Sequence, residues 1–455
     1  MTSKSLLALA VAGTLAAGSG GVAAPAGATT TTAATTATTA TTATAVTASS
    51  ASSASSADVE IPATPAGRQL RWMLDALTRA PVPESEIKEH VAAGYLEQVP
   101  PEQFNQTFQG WKAFTLTAVD GAGPTSLTAK GTLGGQGVRV TLRVDGDGKI
   151  NWVSFDADVP PAPTSWKELQ GRLAEAAPQY SFLAAEITDR RCRPAQVAGA
   201  QKARPLGSMF KLYVLGAVAE QIRAGAYTWD TQLTITPELK SLGGELSARP
   251  DGSKVSVFET AKLMIGISDN TATDLLIHKA GRKAVEQTMR AWGGRKEGNV
   301  PFLTTRELFV LKGADYPEHA DAYKRLGTRA KRAYLRDTVA KVPLTAIRPW
   351  VKPRELETLE WFASPAEICR AHAELRRSPD PKVDDVMSSN SGLLAKGTWF
   401  KGGEEVGLTD LGYSYRAGKK VSFITVMTTN PSSPFPPGHT YELISLAQGA
   451  VKLLK

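Results

Sequence analysis

Apolar residues at Leu70, Met73, Leu74 and Leu77 recur every three to four positions, which predicts an amphipathic helix over Gly67 to Ala80. The period then changes to two. Ala113–Val119, Ser126–Leu133, Val138–Val144 and Ile150–Phe155 alternate as strands do, separated by glycine-rich turns at Leu133–Gly137 and Asp145–Gly148. Helices first and a strand meander after predict a small α+β unit over 65–158, a curved sheet with helices on one face. Pro160-Pro-Ala-Pro163 closes it as a linker. The remaining chain, 164–455, reads as a second, larger domain. In it a helix over Ser165–Ala177 precedes a buried strand at Tyr180–Ile187, and a turn around Asp189–Pro194 follows. A helical region from Val257, strands near Trp399 and over Val421–Met427, and a final helix over Tyr441–Leu454 suggest an antiparallel sheet flanked by helices. The expected fold class is α+β in both domains.

The pattern fails at the start of the chain. Residues 1–28 hold a single cation, Lys4, then the apolar run Leu6–Ala12 and small residues up to Ala28, the layout of a secretory signal peptide. The run is too short and too rich in glycine and alanine for a membrane span. No cysteine stands near the cleavage point, so no lipid anchor is expected there. Residues 29–64 are mostly Thr, Ala and Ser, with too little bulk to bury, and read as a disordered tether. The mature protein is expected to be secreted or cell-wall associated.

The formal net charge is +8, and Lys4 in the leader accounts for one of these charges. A mildly basic exported protein adheres to anionic walls or membranes, and no nucleic-acid motif accompanies the charge. The oligomeric state is left open. Cys192 and Cys369 can be free or paired on sequence grounds. The histidines are scattered without metal-ligand spacing, so neither a metal nor another cofactor is expected. The small domain carries no catalytic pattern and reads as an accessory unit.

Chemistry concentrates in Pro205-Leu-Gly-Ser-Met-Phe-Lys-Leu-Tyr-Val-Leu215. Ser208 stands at the mouth of an apolar helix, where backbone N–H groups and the helix dipole favour developing negative charge. Lys211, three residues on, shares its helix face and becomes a base if it is desolvated. Two further stretches bear on this pair. Ser268-Asp269-Asn270 supplies a second hydroxyl and an amide, and Lys401-Gly402-Gly403 puts a cation on an edge strand where glycines admit substrate backbone. Taken singly, the first is also a helix cap and the second a turn.

Together these stretches resemble the Ser-x-x-Lys, Ser-Asp-Asn and Lys-Thr-Gly set of class A β-lactamases and penicillin-binding proteins. The resemblance runs from about Ala177 to the C-terminus and includes Thr271-Ala-Thr-Asp-Leu-Leu276 and Thr428-Thr-Asn-Pro431. The whole layout is most similar to the Cpe/LpqF-type exported hydrolases, which include the cephalosporin esterase-like protein of clavulanic acid clusters. That likeness implies a small first domain of the steroid isomerase/polyketide cyclase kind. It also implies that Ser208 is the nucleophile, Lys211 its base, Ser268 a proton relay, Asn270 a holder of a substrate amide and Lys401 a partner of Ser268 that binds a carboxylate. Gly402 and Gly403 would line the substrate strand, and the amides of Ser208 and Glu404 would form the oxyanion hole. Lys396-Gly397-Thr398 is a decoy in the wrong register.

Two departures from that set matter. Lys-Gly-Gly replaces Lys-Thr-Gly, which removes a hydroxyl that would bind a substrate carboxylate. No Glu-x-x-Leu-Asn lies between Ser268 and Ser364-Pro365, so the glutamate that activates the deacylating water in β-lactamases has no counterpart there. Glu355, Glu357 and Glu360 read as solvated or capping carboxylates, and the basic stretch Tyr323–Arg332 as a solvated helix face. The resulting expectation is a serine hydrolase that forms an acyl-Ser208 intermediate on small esters or amides related to β-lactams. The alternatives are a true class A-like β-lactamase and a non-turnover penicillin-binding or sensing module.

Overall fold

The computed structural model describes residues 59–454 apart from 135, 189–190, 295, 419 and 437. The leader, and the tether up to residue 58, lie outside the described residues. Contacts divide the described chain into two compact units, one of 59–133 and 139–154, the other of 134–138 and 155–454. The architecture is mixed α+β.

In the first unit four helices, Pro65–Arg79, Glu84–His90, Ala93–Leu96 and Pro101–Gly110, precede the strands. Thr64 caps the first helix by accepting a hydrogen bond from the Gly67 amide, and Leu70, Met73 and Leu77 of the predicted face are buried. The strands Thr115–Ala122, Ser126–Leu133, Gln136–Val144 and Ile150–Ala157 form a four-stranded sheet in chain order.

The second unit is built on a five-stranded antiparallel sheet. Its spatial order is Trp399–Glu405, Leu408–Ala417, Lys420–Thr429, Gln179–Thr188, Arg191–Ala198. Alternation along the strands sorts the side chains into two cores. Leu183, Ala185, Phe423, Met427 and Trp399 join the helices Lys211–Arg223, Val257–Gly266 and Asn270–Ala280. Phe182, Ala184, Ile424, Val426 and Leu411 instead pack with Trp166–Ala176 and His439–Leu453. The sheet is thus covered by helices on both faces, as the sequence suggested.

One expectation is corrected. The turn read around Asp189–Pro194 overlaps a strand, Arg191–Ala198, at the sheet edge. Pro194 faces Ala185, and the register slips between Ala184 and Ala185, so the missing proline N–H costs no central ladder bond.

The same edge strand holds Cys192, which is disulfide-bonded to Cys369 of the helix Pro365–Arg376, 177 positions away. Replacing both cysteines by serine should cost about 2–4 kcal/mol, because the crosslink closes a long loop of the unfolded chain. A lower urea midpoint, with Ser208 still open to acylation, is the expected readout.

Candidate active site

Ser208 lies in a single 3-10 turn, Gly207–Phe210, that runs straight into the helix Lys211–Arg223. Met209 and Phe210 anchor the turn in the core, and Phe210 stacks on Trp361 with ring centroids 3.6 Å apart. Gly207 enters the turn at φ +44°, and a Cβ there would come 3.0 Å from the Glu404 amide nitrogen. Both the left-handed backbone and the close approach call for glycine. Ser208 is left half-buried at the surface of this turn.

Lys211 is fully buried. Its Nζ donates to Ser268 O at 2.6 Å, Ser268 Oγ at 3.0 Å and Asn270 Oδ1 at 2.8 Å; Ser208 Oγ is not among these partners. Lys401 reaches the same hydroxyl from the opposite side, with Nζ 3.0 Å from Ser268 Oγ and 2.9 Å from Gly402 O. Ser268 Oγ therefore sits between two buried amines. Burial pulls Lys211 down to about 7, although Asp269 and Asp274 pull the other way. Lys401 is pushed well below its ordinary value by burial and by the charge of Lys211. Burial and the repulsion between them disfavour two cations here, so the cluster favours a neutral lysine.

Local structure explains the placement of Ser268. It follows the helix Val257–Gly266 and takes φ +60°, which is strained for a serine. The strain is held by its neighbour. Asp269 is fully buried, and its Oδ1 caps Asn270–Ala280 through the Ala272 amide while its Oδ2 accepts from the Leu246 amide, each at 2.8 Å. Asn270 is engaged at both ends, its Oδ1 by Lys211 and its Nδ2 by Leu242 O at 2.7 Å.

Lys401 lies on the edge strand Trp399–Glu405, and Lys396 is exposed in the turn before it. Gly403 faces the Ser208 turn: a Cβ there would be 2.0 Å from Leu206 O and 2.9 Å from the Ser208 amide nitrogen. The amides of Ser208 and Glu404 thus flank one strip of backbone where strand and turn touch. Gly403→Ala should force that strip apart and lower the rate of Ser208 acylation by about 10²–10³, the usual cost of a lost oxyanion donor. Time-resolved mass spectrometry of the adduct would read it.

The carboxylates between the basic stretch and Ser364 are all bound. Glu355 Oε1 accepts from Lys324 Nζ at 2.7 Å, Glu357 Oε1 from Gln179 Nε2 at 3.1 Å and Glu360 Oε1 from Lys312 Nζ at 2.7 Å. The basic stretch is correspondingly only partly solvated. Lys324 and Arg332 are in ion pairs, Tyr323 is buried, and Arg325 and Arg329 are exposed.

Three groups escaped the sequence reading. Asp274 is buried with its oxygens on the Thr305 and Arg306 amides, at 2.7 and 2.9 Å, and burial lifts it to about 7. Lys312 gathers Glu360 and Glu405 in the interior. The side chain of Glu404, whose amide alone had been singled out, is a third. Asp274 left the one usable signal, its place four residues after Asn270 on the same helix face.

Residues 164–324 match the beta-lactamase enzyme family, and residues 61–150 match the family described as the N-terminal part of the ORF 12 gene product. The first match lies within the larger unit and makes that stretch β-lactamase-like. No curated protein matches the chain. Among solved structures, PBP-A has 17% identity and a TM-score of 0.43, covering 65% of this chain and 100% of that one. A β-lactamase from Sphaerobacter thermophilus has 16% identity and a TM-score of 0.44, covering 64% and 97%. The ancestral (GNCA) class A β-lactamase also has 16% identity and a TM-score of 0.44, covering 63% and 98%.

Proposed function

We propose that this protein is an exported serine hydrolase that works through an acyl-Ser208 intermediate, with esterase activity or weak action on β-lactams rather than efficient β-lactamase turnover. The observation that carries this reading is Ser268 Oγ held between the amines of Lys211 and Lys401. Neutral Lys211 takes the Ser208 proton as Oγ attacks an acyl carbonyl. The oxyanion draws on the amides of Ser208 and Glu404, and Ser268, recharged from Lys401, protonates the leaving group. Asn270 acts by holding Lys211 and Ser268 in place as well as by meeting a substrate amide.

Deacylation is the weak step. Glu355, Glu357 and Glu360 are engaged in hydrogen bonds to other residues, and this favours a second reading, a penicillin-binding or sensing module that acylates and then stalls. The two-part layout, with a separate small unit ahead of the β-lactamase-like one, supports kinship with Cpe/LpqF-type proteins and a steroid isomerase-like first unit.

Intact-protein mass spectrometry with a 3′-acetoxy cephalosporin, alongside Ser208→Ala, tests these readings. Acetate release with the ring intact supports the esterase. A lasting adduct that needs Ser208 supports the sensing module. Rapid ring opening would show a true β-lactamase, and activity undiminished in Ser208→Ala would overturn the acyl-enzyme.

A further inference from the structure

A cavity of about 230 Å³ opens where the helices Pro365–Arg376 and Pro381–Met387 meet the sheet. Arg376, Asp380, Asp384, Trp399 and Arg416 line it, and none of Ser208, Lys211, Ser268 or Lys401 does. Arg376 ends its helix, and its guanidinium lies 3.7 Å from the centroid of the Trp399 ring. Nε donates to Ser414 Oγ at 3.2 Å and Nη2 to Ser414 O at 2.9 Å.

The side chain of Arg376 is 6% exposed, yet its one ion pair among the described residues is long, with Asp384 Oδ1 3.8 Å from Nη1. That oxygen already accepts from Trp399 Nε1 at 2.8 Å. The other carboxylate of the cavity is also engaged, Asp380 Oδ2 by Trp229 Nε1 at 2.5 Å and Oδ1 by the Lys382 amide at 2.9 Å. Arg416 brings a second guanidinium. It stands two residues beyond Ser414 on the strand Leu408–Ala417, so alternation puts both on one face of the sheet. Arg416 is exposed and has no hydrogen bond or ion pair to the described residues. Burial lowers Arg376 to about 10, the charge of Arg416 adds to this, and Asp384 opposes it.

A guanidinium taken out of water without a hydrogen-bonded anion is costly, and a second cation beside it adds to the cost. The N–H groups of Arg376 that Ser414 leaves free share one cavity with the fork of Arg416, and such planar donors match the oxygens of an oxyanion. We infer that this cavity binds a small oxyanion, a phosphate or a carboxylate group, between Arg376 and Arg416. The site is separate from the acyl centre and does not depend on the acyl-Ser208 reading.

Isothermal titration calorimetry at pH 7.5 tests this, with sodium phosphate and sodium acetate each compared with sodium chloride at equal ionic strength. The wild type should bind at least one of the two oxyanions saturably at one site, and the tighter of the two assigns the group. Arg416 is exposed, so Arg416→Gln should keep its fold, and it should bind that oxyanion about tenfold more weakly or worse, the worth of a charged hydrogen bond. Ser208→Ala should bind it as the wild type does. No saturable binding of either oxyanion, or an unchanged affinity in Arg416→Gln, would overturn the inference. Binding lost in Ser208→Ala would put the oxyanion in the acyl site and overturn it as well.

Discussion

Replacing Lys211 by alanine should slow acyl transfer to Ser208 by about 10²–10⁴, the range in which a positioned general base acts. The size follows from the surroundings. Lys211 is fully buried, no histidine is in its hydrogen-bond set, and Lys401 is separated from Ser208 by Ser268. Lys211→Arg should fare no better, because a guanidinium stays protonated. The wild-type rate should also depend on pH with a definite sign. Burial lowers Lys211 from 10.5 to about 7, so the amine is cationic and inert below that value and becomes a base above it. Acylation should rise through about pH 7 and level off where ordinary lysines are still charged. Adduct formation followed across pH 5.5–9 measures this, and a flat profile, or a full rate in Lys211→Ala, would remove Lys211 from the mechanism.

The residues proposed for this chemistry were legible because they are local. Ser208 and Lys211 are one helical turn apart, Ser268–Asn270 are contiguous, and Lys401 is followed by two glycines on an edge strand. The plain reading was correct for one of them, since Asp269 is a helix cap, whereas Lys401-Gly402-Gly403 lies in a strand and not in a turn. What the sequence hid is what depends on distant partners. The turn read around Asp189–Pro194 runs into the strand Arg191–Ala198, whose proline is accommodated by its place at the sheet edge. Cys192 and Cys369 were ambiguous until the strand met the helix. Glu355 reads as a solvated carboxylate, but it is ion-paired to Lys324 on the helix Glu318–Lys324. The approach of Gly403 to Leu206 O could not be read from a glycine pair alone.

Lys312 belongs with these hidden groups, and Lys312→Ala should destabilise the protein by about 3–5 kcal/mol, the cost of stripping a buried carboxylate of its partner. Its side chain is 0% exposed, and Nζ lies 2.7 Å from Glu360 Oε1 and 2.9 and 2.8 Å from the two Glu405 oxygens. Burial alone would lower Lys312, but Glu360 and Glu405 outweigh it and hold the lysine above its usual value. One ammonium cannot neutralise two buried carboxylates. Burial raises Glu405 well above 4.5, Lys312 opposes this, and the charge of Glu360 and a hydrogen bond to it add to the rise. Glu405 therefore keeps a proton that the unfolded chain has lost. The folded state binds more protons above about pH 4.5, so this group's stabilisation is fully present below that and declines with rising pH until the proton leaves the folded protein. Without Lys312 nothing opposes the rise of Glu405, and the loss should be larger at pH 8 than at pH 6. Urea unfolding at the two pH values measures the difference. Combining Lys312→Met with Glu360→Gln and Glu405→Gln removes every charge and should restore most of the stability, because a buried ion network gains little over a neutral one of similar volume. Glu405 directly follows the residue whose amide flanks Ser208, and Glu360 directly precedes Trp361, on which the Ser208 turn stacks. The single variant should therefore also slow acylation in the fraction that remains folded, whereas the triple variant, with its packing preserved, should recover the rate along with the stability.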